Sequence, residues 1–416
     1  MPTDPAEPSG PVHRVRLLGL LLPLVLPLVL VATGCTSSAP DEPAQEQDPG
    51  PIAASERDVK RLLARRERAI EHGRRAIFAE TVGRRDRDGQ LAWFGVLDRL
   101  PVADVEHDVS GIRLMPDSQV TEVSLQMTVR LRGFDLKPVA ASHVLELVRA
   151  GGGWRVARDR FARSQVMSAP WTMADARVRV TDDVVLLLDG ASEEQADRLV
   201  RLAEEALAAT RDQVPFDWHD RVVVLAPSSI TPLRNEGYQV EQIKRLGGIA
   251  VEVDNRAGKP VGRRVLVVPQ MLDESDDALR TLLRHEFAHV AIGERDRALP
   301  LWVSEGMAEW SSWDGQLSFR IATSAVNAAE RGIEEMPDDA AFRGTDPGRA
   351  YGIAWFALRW LEDEHGDGTP WEVLELARRN RWADERAFSK ALEKRWGVST
   401  DELAQRSGDL IDDTFE

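Results

Sequence analysis

Apolar residues recur every three to four positions over residues 56–80, where Val59, Leu62, Leu63, Ile70 and Ile77 share one face of a helix. A second, shorter helix is expected over 91–100. The period then falls from about 3.6 to 2. In QVTEVSLQMTVRLRGF, Val123, Leu125, Met127, Val129 and Leu131 alternate with polar residues, as in a strand with one buried face. HVLELVRAGGGWRVARDRF reads as a hairpin turning at residues 151–153. A second unit starts near Ala176 with a strand or hairpin, RVRVTDDVVLLLDG. A long amphipathic helix follows over 193–213, with Ser192 as its N-cap. RVVVLAP, GIAVEVD and RRVLVVPQ predict three more strands, and from Asp276 onward the spacing is helical. The expected class is α+β, with the second unit's sheet lying against one side of a helical half.

The N-terminus has a different pattern. His13, Arg14 and Arg16 precede the apolar run LLGLLLPLVLPLVLV, interrupted by Pro23 and Pro27, and the small residues ATGC follow. A basic start, a short apolar stretch and small residues before a cleavage point describe a secretory signal. The run is shorter than a typical membrane span, and its prolines disfavour a spanning helix. ATGC resembles a bacterial lipobox, which implies acylation of Cys35 after removal of a leader at 1–34 and anchoring of the chain to the outer face of the cell membrane. Ala32 stands where that pattern prefers leucine. An uncleaved anchor is the other reading, and either one places the rest of the chain outside the cytoplasm. Residues 35–54, rich in Pro, Ser, Glu and Gln, bury too little to order themselves and read as a tether.

Composition narrows the function. The chain has 416 residues with 43% hydrophobic content, long enough for two folded units, divided here as 55–170 and 171–416. Its net charge of −16 argues against nucleic acid as a partner. Cys35 is the one cysteine, so neither an intramolecular disulfide nor a cysteine metal site is available. A monomer on a tether is the default expectation.

The chemistry concentrates in LLRHEFAHVAIGERDRALPLWVSEGMAEW, residues 282–310. Asp276, Asp277 and Gly293 suit the two ends of a helix over 276–292, and Leu279, Leu283, Phe287 and Ala291 form its apolar stripe. His285 and His289 lie four apart on an adjacent face and project in one direction. This HExxH spacing lets two imidazoles grip a zinc ion while Glu286 reaches water beside it. A catalytic zinc takes three protein ligands and one open position. Glu305 and Glu309, one turn apart on the next helix after Pro300, are the nearby candidates for the third. Gly306 is costly in a helix by roughly 1 kcal/mol, and close approach to the histidine helix is the expected return.

HEFAH followed by WVSEGMAEW resembles the gluzincin zinc peptidases, in particular their peptidase MA-like branch, over about residues 279–366. The resemblance implies Glu305 as third zinc ligand, Glu286 as general base, and Glu309 as the acidic residue that orients a ligand histidine. It also implies a peptide or protein substrate, laid along the sheet edge formed by GIAVEVD or RRVLVVPQ. Tyr351 opens a helix resembling the one that follows the site in this branch, which makes it a candidate oxyanion donor beside a plain packing role. Residues 55–168, helices and then an antiparallel meander ending in a GGxWRVA-type hairpin, resemble the NTF2-like domains. The function expected is a membrane-anchored zinc metallopeptidase. The competing reading is a non-catalytic cell-envelope scaffold or binding lipoprotein with a structural zinc site. His72, His107, His143, His219 and His365 are expected to be structural or exposed, and the C-terminal tryptophans to be core.

Overall fold

A computed structural model describes residues 54–115, 120–161, 165–173, 175–235, 237–243, 246–254, 259–312, 325–326, 332–380 and 385–415. The leader, Cys35, the tether as far as residue 53, Trp313 and Trp382 lie outside these residues.

The first helical stretch is divided. Helix α1 (Glu56–Glu71) is capped by the Ser55 side chain, and α2 (Arg75–Glu80) follows a turn through Gly73 at φ 63°. Helix α3 (Arg87–Arg99) is longer than expected and leads into strands β1 (Val102–Leu114), β2 (Thr121–Leu131), β3 (Val139–Ala150) and β4 (Gly153–Phe161). The four strands form an antiparallel meander in sequence order. The predicted inward row of β2 is buried throughout: Val59, Leu62 and Leu63 of α1 share a core with Val123 and Leu125, while Met127, Val129 and Leu131 pack with Ile70, Phe78 and Phe94.

The second sheet is mixed. Strands β5 (Arg177–Val180) and β6 (Val184–Leu188) make the predicted hairpin. Helix α4 (Glu193–Gln213), with Ser192 and Gln195 in a reciprocal capping box, then crosses over to β7 (Val222–Ala226), which runs parallel to β6. After the short helices α5 (Thr231–Asn235) and α6 (Val240–Ile243) come β8 (Gly248–Asp254) and β9 (Pro260–Val267). The strand order is β5-β6-β7-β9-β8, so β8 is an edge and β9 is interior. Of the two strands suggested for the free edge, only GIAVEVD is there.

The helical half comprises α7 (Asp276–Ile292), α8 (Leu301–Ser312), α9 (Asp339–Arg343), α10 (Pro347–His365), α11 (Thr369–Asn380), α12 (Glu385–Trp396) and α13 (Thr400–Phe415). Among the described residues no helix is long and apolar enough to cross a membrane. The molecule is α+β.

The period-2 alternation of the second sheet fixes its surroundings. Val184, Leu186, Leu188, Val222 and Val224 face α4 and α7, packing on Leu199, Leu202, Leu283 and Phe287. The opposite row, Val185, Leu187, Val223, Leu225 and Val261, shares a core with Trp93, Phe94, Met127 and Val129 of the N-terminal layer. Both faces of this sheet are therefore covered, which explains the near-continuous apolar runs of β6 and β7. A fully buried ion pair, Arg264 Nη2 to Asp135 Oδ1 at 2.6 Å, joins the N-terminal layer to β9.

Candidate metal centre

Helix α7 begins at Ser275, whose side chain caps the Ala278 amide, and ends at Gly293 with φ 53°. Its apolar stripe, Leu279, Leu283, Phe287 and Ala291, is buried. Those contacts fix the helix rotation and aim His285 and His289 at α8. The two rings lie 5.0 Å apart at 72°. Helix α8 is clamped by Trp302, Val303, Met307 and Trp310 in the helical core, which turns Glu305 and Glu309 back toward the histidines.

Glu305 Oε2 lies 3.5 Å from His285 Nε2 and 3.5 Å from His289 Nε2. One donor atom from each of these residues falls within 4.8 Å of the others. The outer nitrogens are also attended. Glu309 Oε1 is 3.6 Å from His285 Nδ1, and Asp296 Oδ2 is 3.6 Å from His289 Nδ1. These distances are ion-pair contacts longer than hydrogen bonds, and His285 Nδ1 is buried without a hydrogen-bond partner.

The electrostatics suit a cation. Burial opposes charge on His289, yet Glu305 and Asp296 outweigh it and hold the imidazole's pKa well above its ordinary value. Burial likewise opposes ionisation of Glu305, but the two histidines hold its carboxyl far below the usual carboxylate range. Two imidazole nitrogens and one carboxylate oxygen converging on a point make a donor set of the kind zinc accepts, three protein ligands as at catalytic zinc sites. The residues present fit the ion.

Glu286 points elsewhere, toward the sheet. It is buried, and burial pushes its carboxyl above the ordinary range despite the nearby histidines. The approach is close: a Cβ on Gly248 would stand 3.2 Å from Glu286 Oε1 and 2.9 Å from the Leu266 carbonyl oxygen. Tyr351, on α10, places its ring 6.3 Å from that of His285 and packs edge-on against Phe342.

Gly306 serves a different neighbour from the one expected. A Cβ there would stand 3.2 Å from Ala354 Cβ and Leu358 Cδ1, so the close approach is to the Tyr351 helix and not to the histidine helix. Asp296 was not legible in the sequence. It sits in the charged linker GERDR, outside either helical period, and only the folded turn brings it to His289.

Among the described residues the remaining histidines stand apart from this centre. His107 and His143 lie in the N-terminal layer, paired with Glu67 at 3.0 Å and Asp159 at 2.8 Å. His72 Nδ1 meets the Arg68 carbonyl at 2.9 Å, and His219 Nε2 meets the Phe134 carbonyl at 3.1 Å. Trp302, Trp310, Trp355 and Trp371 are core residues. The chain matches no protein-family model and no curated protein sequence.

Proposed function

We propose that the protein is a zinc metallopeptidase of gluzincin type, anchored outside the cytoplasm through Cys35, with an NTF2-like layer at 55–170 and a zincin-type unit at 171–416. The observation that carries this reading is the convergence of one donor atom each from His285, His289 and Glu305 within 4.8 Å, beside a buried Glu286 that is not part of the set. His285, His289 and Glu305 would hold the ion. A zinc ion there supplies Lewis acidity and lowers the pKa of water it holds to about 7.

The chain's own residues do the rest. Glu286, its carboxyl poised above the ordinary range, takes the proton of the attacking water and returns it to the leaving amine. Its close packing at Gly248 sets the base beside the strand along which substrate would lie. β8 is an edge, so an extended peptide can add to it through backbone hydrogen bonds. Tyr351, whose ring stands 6.3 Å from that of His285, is the candidate donor to the developing oxyanion.

Cleavage of a peptide library by the zinc-loaded chain and by Glu286→Gln tests the proposal. The variant is expected to retain metal and to lose about 10²- to 10⁴-fold in turnover. Equal cleavage by the two would remove Glu286 from the reaction, and zinc without cleavage in either would favour the scaffold.

A further inference from the structure

The segment joining the two ligand-bearing helices is short, bent and held from both sides. It turns through Gly293 at φ 53° and Ala298 at φ 63°, and a non-glycine residue keeps a positive φ only where its surroundings impose it. Arg295 lays its guanidinium 3.9 Å from the Phe216 ring centroid and lies 3.7 Å from Glu375 of α11. Arg297 reaches 3.1 Å to Glu252 Oε2 on the edge strand β8. One arginine ties the turn to the helical half and the other to the sheet. The residue between them is Asp296.

A carboxylate at this place needs a reason. It follows the C-terminus of α7, where the helix dipole already concentrates negative charge and disfavours an acid. Asp296 Oδ1 is buried with no hydrogen-bond partner, while Oδ2 lies 3.6 Å from His289 Nδ1. Among the described residues its one ion-pair partner is the imidazole.

We propose that Asp296 is the positioning carboxylate of His289, delivered by the clamped turn as the counterpart of Glu309 at His285. The proposal rests on reading His285, His289 and Glu305 as a metal site. A histidine that offers Nε2 to a metal carries its proton on Nδ1, and an acceptor there fixes tautomer and ring orientation and raises ligand basicity. Each histidine of the centre then has its own carboxylate, one from α8 and one from the turn.

The test uses the full chain purified in detergent, with zinc affinity measured by competition against a chromophoric chelator. The near-ultraviolet circular dichroism spectrum of the metal-free protein is recorded beside it. Asp296→Asn keeps the side chain's shape and removes its charge, and is expected to weaken zinc binding about 10-fold. Asp296→Ala is expected to weaken it by up to about 100-fold, with the metal-free spectrum of both variants unchanged. Wild-type affinity in both variants would overturn the proposal and leave the metal site standing. So would a loss that accompanies an altered metal-free spectrum, or one that Asn fully restores, since either marks a role in shaping the turn. No measurable zinc binding by the wild type would overturn the metal reading and this proposal together.

Discussion

Glu286 and Gly248 show how much of the site depends on single atoms. The carboxylate is buried between α7 and β8, and it can sit there because residue 248 has no side chain. A methyl group added at 248 meets backbone on one side, the Leu266 carbonyl at 2.9 Å, and Glu286 on the other, so the carboxylate must yield. Gly248→Ala is accordingly expected to retain zinc while losing at least about 10-fold in peptide turnover, as misplacement of a reacting group by a fraction of an ångström does. Metal analysis beside a peptide-cleavage assay checks this, and unchanged turnover would show that the position of Glu286 is not limiting. His285, Glu286 and His289 were legible in the sequence because helical spacing converts position directly into direction, whereas that spacing left Glu305 and Glu309 both open and only the family resemblance pointed to Glu305. Gly248 and Asp296 were not, since each acts through a contact between elements distant in the chain.

At the scale of elements, the N-terminal layer carries an unusual polar core. Arg66 of α1 is buried, bonded to Asp159 of β4 at 3.1 Å, Thr81 at 3.3 Å and Gln90 at 3.2 Å, with Phe78 and Trp93 beneath its guanidinium. Burial opposes charge on Asp159, but His143 and Arg66 outweigh it and hold the carboxyl below its ordinary value. Burial also lowers the pKa of His107, and here Glu67, opposed by His143 and Arg66, does not restore it. The signs then follow. The unfolded chain takes up the His107 proton first as pH falls below about 6.5, so that contribution is full above 6.5 and is lost as pH falls through the folded-state value. The Asp159 contribution stays intact down to about pH 4 and is lost below it. In thermal melts across pH 7.5 to 3.5, the advantage of wild type over His107→Gln is expected to shrink once pH drops below about 6.5. A difference independent of pH would contradict the depressed His107 value. None of this network showed in the periodicity, because Arg66 reads as one of many charges on α1. Strand β1 was hidden for a related reason: irregular register between Ala103 and Glu106, and again between Val109 and Gly111, breaks its alternation.

The whole molecule is organised around the second sheet. One face carries α4 and α7 and the other carries the N-terminal layer, whose Trp93, Phe94 and Met127 share a core with Val185, Leu187, Val223 and Leu225. That layer closes the apolar face of the sheet whose edge strand packs against Glu286 at Gly248. The class α+β was readable from the order of periods along the chain. The sheet order β5-β6-β7-β9-β8 was not, because strand neighbours depend on a crossover through α4 and on which apolar face finds cover. The proposed function needs one cation at one place. Elemental analysis of the purified wild-type, Glu286→Gln and Glu305→Ala chains tests it most directly. Near-stoichiometric zinc in the first two, with a loss to a small fraction in Glu305→Ala, is the predicted result. Absence of zinc from the wild type, or full zinc in Glu305→Ala, would contradict it.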